Sequence, residues 1–134
     1  MKEISALQFP DNVKFDPEHE WISKAAPYRI GVSDFAQDQL GDLTYAELPE
    51  AGATFARGEE FGTLESTKSV SPLFSPVDCK VVAVNTAVQD DPSLPNTDPY
   101  GKGWLIEVEL SNPGQLDALM DAGAYKEMLE SGGQ

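Results

Sequence analysis

The stretch Leu64-Glu65-Ser66-Thr67-Lys68-Ser69-Val70-Ser71-Pro72-Leu73-Phe74-Ser75-Pro76-Val77 decides how the rest of the chain is read. One lysine, Lys68, sits among small polar residues between two apolar, strand-like arms. Such a pattern describes a hairpin whose tip projects a primary amine, where an enzyme can grip the strand and modify the side chain. A solvated turn lysine has the same local pattern, so spacing alone does not separate the two readings.

Outward from the hairpin, short runs of strand character alternate with Gly, Pro and Asp signals. Glu20-Trp21-Ile22-Ser23 and Tyr28-Arg29-Ile30-Gly31-Val32 read as a first pair. Ser33 caps a short helix over Asp34 to Leu40, which Gly41 stops. Leu43 to Leu48, Glu60 to Ser66, Pro72 to Val77 and Lys80 to Val84 read as further strands. A loop rich in Asp and Pro leads to a last strand, Trp104 to Leu110. From about residue 112 the pattern changes: Pro113 opens a helix with Leu116, Leu119 and Met120 on one face. Gly123 is expected to break it before a second helix carrying Tyr125, Met128 and Leu129. Gly132-Gly133-Gln134 should fray. The expected fold is mostly β, a sandwich of two antiparallel sheets with a short internal helix and C-terminal helices. The 134 residues suit one domain, 1–134.

Composition narrows the function classes. Nine Lys and Arg against 23 Asp and Glu leave a net charge of −14, which disfavours nucleic acid and anionic membrane surfaces as partners. No segment approaches the 18 apolar residues of a membrane span, and the N-terminus has no apolar run of signal-peptide length. One cysteine, Cys79, and one histidine, His19, leave no internal disulfide and no Cys- or His-rich metal site. A soluble, cytoplasmic chain is expected, with no metal. No nucleophile with a base and an orienting acid is specified, so no catalytic residue is assigned.

Several motifs, in order, resemble the H protein of the glycine cleavage system, a lipoyl carrier. They are Glu18-His19-Glu20-Trp21, Gly31-Val32-Ser33-Asp34-Phe35-Ala36-Gln37, Gln39-Leu40-Gly41-Asp42, Glu47-Leu48-Pro49, Glu65-Ser66-Thr67-Lys68, Ser75-Pro76-Val77 and Asp98-Pro99-Tyr100-Gly101-Lys102-Gly103-Trp104. The resemblance runs from about Phe15 to Leu129. It implies a lipoyl-domain-like (hammerhead) fold, with lipoate joined by an amide to Lys68. It also implies Glu65 as a recognition residue for the lipoate-attaching enzyme, and Glu20 and His19 in the cleft where the arm rests. Thr67 and Ser69 replace the Met residues that flank the lysine of related biotinyl domains.

Of three departures from the family, the mildest being Glu107 and Glu109 where lysines are common after Gly-Trp-Leu-Ile, two weigh on the pathway. An acidic residue usually lies four positions after the lysine and, with the glutamate before the tryptophan, helps to hold an amine on the arm; here that position is Pro72. Cys79 stands where the family usually has glycine, which suggests a positive-φ turn that cysteine would strain. These departures tilt the expectation towards a specialised H-like lipoate-binding protein of a heterodisulfide-reductase-like sulfur-oxidation system. The alternative is the glycine cleavage H protein carrying methylamine, with the cleavage enzymes and dihydrolipoyl dehydrogenase as partners. A further alternative is an unlipoylated interaction or regulatory module. The expected role is a non-enzymatic swinging-arm carrier.

Overall fold

In the computed structural model the described residues run from Glu3 to Gly132, so the expected fraying at Gly133 and Gln134 lies outside them. The strands and helices, in order, are β1 (Val13–Phe15), β2 (Glu20–Ser23), β3 (Tyr28–Val32), α1 (Asp34–Leu40), β4 (Leu43–Glu47), β5 (Thr54–Phe55), β6 (Glu60–Ser66), β7 (Val70–Phe74), β8 (Cys79–Val84), α2 (Thr86–Asp90), α3 (Leu94–Thr97), β9 (Ile106–Leu110) and α4 (Ala122–Glu130). They form a six-stranded sheet, β1-β2-β3-β9-β8-β5, and a three-stranded sheet, β4-β6-β7. All pairings are antiparallel.

Side chains alternate across a strand, so a strand with every residue buried must be covered on both faces. β2 comes close to this: Glu20, Trp21 and Ile22 are buried in succession and Ser23 is half-buried. Ile22 joins Ile30, Val32, Leu64, Leu73 and Val81 in the core between the sheets. Trp21 points the other way, into a second cluster with Phe15, Phe35, Tyr125 and Leu129. Its indole Nε1 donates to Pro99 O at 3.0 Å, so its one polar group is satisfied. Gly31, opposite Trp21 in the β2–β3 register, makes room for the ring: a Cβ there would lie 2.7 Å from Trp21 Nε1.

The C-terminal segment closes this second cluster, differently from the sequence expectation. Pro113–Ala118 is a 3₁₀ turn, and Met120 exchanges backbone hydrogen bonds with Phe15 at 2.8 and 2.9 Å instead of extending a helical face. Gly123 lies inside the first turn of α4, where helix amides lack intrahelical partners anyway. Asp121 caps that helix by accepting from Ala124 N. The Asp- and Pro-rich loop contains α2 and α3, with Pro95 in the first turn of the latter.

Gly31→Ala should force the indole to shift and lower stability by about 1–3 kcal/mol. A denaturant titration following Trp fluorescence measures it; an unchanged midpoint would remove the close approach as a constraint.

Candidate functional site

β6 and β7 meet at the tip Ser66-Thr67-Lys68-Ser69. Ser66 N donates to Ser69 O at 2.8 Å, and Ser66 Oγ accepts from Lys68 N at 3.1 Å and Ser69 N at 3.2 Å. The small hydroxyl residues therefore close the turn themselves and leave Lys68 exposed. The tip leans on the segment after α1, where Thr67 N donates to Asp42 O at 3.2 Å. Gly41 adopts φ 77°, and a Cβ there would lie 3.1 Å from Lys68 Cε and 3.5 Å from Nζ. Glycine satisfies both the positive φ and the passage of the lysine chain.

Asn96 of α3 holds this support in place. Its Nδ2 donates to Gly41 O at 2.9 Å and Gln37 Oε1 at 3.0 Å, and its Oδ1 accepts from Leu43 N at 2.9 Å. The residue lies in the region read from sequence as a loop, and its partners are 53 or more positions away. No local pattern marks it.

A cleft of about 230 Å³ opens beside the tip, between α1, the Glu18–Glu20 turn and β7. Gln39 and Leu40, the residues just before Gly41, line it, so a group attached to Lys68 Nζ starts at its edge. Of the residues picked out in the sequence, Glu20, His19 and Pro72 line the cleft with Phe35 and Leu73. Glu65 does not line it. It sits half-buried on β6, three positions before the lysine, between Tyr45 of β4 and Val70 of β7. Pro72 lies on the edge strand of its sheet, where the missing N–H is tolerated.

His19 is half-buried and has φ 72°, the sole positive φ among the described non-glycine residues. Its Nδ1 lies 2.7 Å from Tyr125 Oη, and that hydroxyl lies 2.8 Å from Ser33 Oγ. Ser33 Oγ also accepts from Ala36 N, capping α1. One phenol of α4 thus ties the cleft histidine to the start of α1, across 106 residues for the His19 contact. Burial lowers the His19 pKa, with the Glu18 charge opposing the change.

Glu20 is 2% exposed, and its Oε2 accepts from Phe74 N at 3.2 Å. Its Oε1 has no donor among the described residues. Asp16, also buried, accepts through Oδ1 from Glu18 N at 3.1 Å and Glu20 N at 2.8 Å. Burial, followed by the nearby Asp16 carboxyl, drives the Glu20 pKa far above the carboxylate range; burial raises Asp16 as well.

Cys79 begins β8, opposite Phe55 and Leu110, without a positive φ, so the strain expected from replacing a turn glycine does not arise. It is 2% exposed, within 3.5 Å of Ser75 Oγ, and burial raises its pKa. Among the described residues no His, Cys, Asp or Glu group is arranged to hold a metal, and no helix is long and apolar enough to cross a membrane.

The family described as glycine cleavage H-protein matches residues 13–132 of this chain. A glycine cleavage system H protein from Myxococcus xanthus (strain DK1622) is 49% identical over 127 residues, covering 94% of this chain and 98% of the relative. One from Anaeromyxobacter sp. (strain K) is 47% identical over 125 residues, covering 92% and 98%. The crystal structure of a glycine cleavage system H protein from Mycobacterium marinum superposes with a TM-score of 0.82 at 39% identity, covering 92% of this chain and 99% of that one. The fold is accordingly lipoyl-domain-like.

Asn96→Ala should cost about 1–3 kcal/mol by orphaning its partners. It should also speed hydrogen exchange at Thr67 N–H while leaving β9 amides unchanged; equal protection at the tip would remove Asn96 as its support. A second expectation concerns pH. His19 has a folded-state pKa below its unfolded value of 6.5. The stability linked to its neutral form is thus full above 6.5 and lost as pH falls through the folded value. His19→Asn, which tolerates the positive φ, should flatten that part of the stability profile. Parallel profiles for the two proteins would contradict it.

Proposed function

The chain belongs to the glycine cleavage H-protein family, and from that membership we propose that Lys68 bears the lipoyl group and that the chain carries methylamine between enzymes of a cytoplasmic glycine cleavage system. Proteins of this family are carriers with covalent lipoate on a lysine, not enzymes, and this chain is a carrier of that kind. When bound, lipoate supplies a dithiolane that exchanges between disulfide and dithiol and accepts a substrate fragment on sulfur. The observation that carries the assignment to Lys68 is its exposure at a self-closed hairpin tip, beside the mouth of the cleft. An acylated amine there needs no perturbed pKa and no neighbouring base; it needs reach.

The other residues then divide the work. Glu65 is offered to the lipoate-attaching enzyme from the strand next to the lysine. Leu40, Phe35 and Leu73 give the arm an apolar wall, and Glu20 presents a carboxyl for the amine it carries. His19 orients the cleft's rim through Tyr125. The partners are the lipoate-attaching enzyme, a glycine decarboxylase, an aminomethyltransferase and dihydrolipoyl dehydrogenase. Acylation of Lys68 takes the formal charge from −14 to −15, and an acidic body suits brief docking on several enzymes through complementary charge.

The relatives favour glycine cleavage over the sulfur-oxidation carrier that Pro72 and Cys79 suggested, which they do not support. The buried, unstrained setting of Cys79 also weakens one of the two reasons for that expectation.

Intact mass after incubation with a lipoate-attaching enzyme should rise by one lipoyl group, and Lys68→Arg should abolish the increase. Fully lipoylated protein should then accept methylamine from glycine decarboxylase and support glycine–bicarbonate exchange. Lipoylation without exchange would overturn the pathway, and lipoylation of the Arg variant would overturn the site.

A further inference from the structure

We propose that the outer face of the β4-β6-β7 sheet is the docking surface for the enzyme that acylates Lys68, with Tyr45 and Val70 as its apolar anchors on either side of Glu65. The inference rests on the lipoyl assignment to Lys68 above and adds the surface by which the hairpin is gripped.

Register and burial carry it. Ala46 and Leu64 are opposed across β4 and β6 and buried in the core between the sheets, where Leu73 of β7 joins them. Side chains alternate along a strand, so Tyr45, Glu65 and Val70 point outward, in one row across the three strands. Tyr45 is 51% exposed and Val70 61%; the one other exposed large apolar residue among those described, Val82, lies on β8 in the other sheet. The next outward row is Glu47-Thr63-Pro72, whose Pro72, on the edge strand, also reaches the cleft. The hairpin's other sides are already in use. Ser71 and Leu73 line the cleft, and beside β4 Asp42 O accepts from Thr67 N while Gly41 backs the lysine stem.

A bare ring and a bare branched side chain gain from being covered, and a tyrosine is a strong anchor when a partner desolvates it. The two rows hold two carboxylates and no cation, so the matching surface presents a basic side chain to Glu65 between two apolar recesses. Continuity with the reacting lysine fixes the occupant. Glu65 stands three residues before Lys68 and Val70 two after it, so a protein seated on their row holds the tip at a set distance from its own active site. There Nζ attacks the carbonyl carbon of lipoyl adenylate. The amide C–N bond forms, the bond to AMP breaks, and the ammonium of Lys68 gives up two protons to solvent. The finished arm turns to the cleft on the other side of the hairpin, so the enzyme's footing and the arm's resting place do not compete.

The test compares the unlipoylated protein with Tyr45→Ala, Val70→Ser and Val82→Ser as substrates of a lipoate-attaching enzyme supplied with lipoyl adenylate. Matched denaturation midpoints first show that each variant is folded. Tyr45→Ala and Val70→Ser should each raise KM roughly three- to tenfold with kcat little changed, the split expected of a docking contact. Val82→Ser should match the wild type. Glu65→Gln should raise KM too, and should flatten its dependence on salt. Unchanged kinetics in both anchor variants, or an equal loss in Val82→Ser, would overturn the surface and leave Lys68 as the site. Normal lipoylation of the anchor variants beside impaired glycine–bicarbonate exchange would give the row to a later client enzyme and overturn the occupant. Failure of the wild-type protein to take up lipoate at all would remove the Lys68 reading, and the docking surface with it.

Discussion

β2 is covered on both faces, and much of the molecule is arranged to make that so. Ile22 needs the sandwich core, and Trp21 needs a second cluster built from the chain's two ends and the 98–104 loop. That double cover also buries Glu20, which shares the inward face of the strand with Ile22. A carboxyl in that position is expensive to ionise, so the strand that organises the fold also creates the most perturbed group of the cleft. Stability and chemistry are linked through one four-residue strand.

The two halves of the site have opposite physical requirements. Lys68 needs freedom, and a turn closed by Ser66 and Ser69 gives it exposure with a defined origin. The cleft needs rigidity, and it gets it from capped helices, the Asn96 bridge and the phenol of Tyr125. α1 joins the two, since its N-terminus meets the His19–Tyr125–Ser33 chain and its C-terminal glycine supports the lysine stem. A shift of α1 would therefore be felt at both ends of the arm's path.

Local patterns were legible where local physics decides. Ser33 and Gly41 bound α1 at Asp34–Leu40, as read from capping residues alone. The Lys68 hairpin was equally clear, although its second arm runs from Val70 to Phe74 rather than from Pro72 to Val77. Residues whose roles come from distant partners were not legible. Asn96 looks like loop and Met120 like a helix face, until Gly41 and Phe15 are set beside them. Cys79 shows the same limit from the other side, because a strand pairing replaced the turn that family glycine suggested.

In the sequence, short strands between turn residues pointed to the fold class, because turn and strand chemistry is local, and the ordered motifs carried the resemblance that implies Lys68 as the cofactor's residue. Only the tertiary structure decided what surrounds that residue. It brought together a histidine and a tyrosine 106 positions apart, and it buried Asp16 and Glu20, whose carboxyls burial makes harder to ionise. Burial and long-range contact set the charge state of a group, and neither is written in any window of sequence.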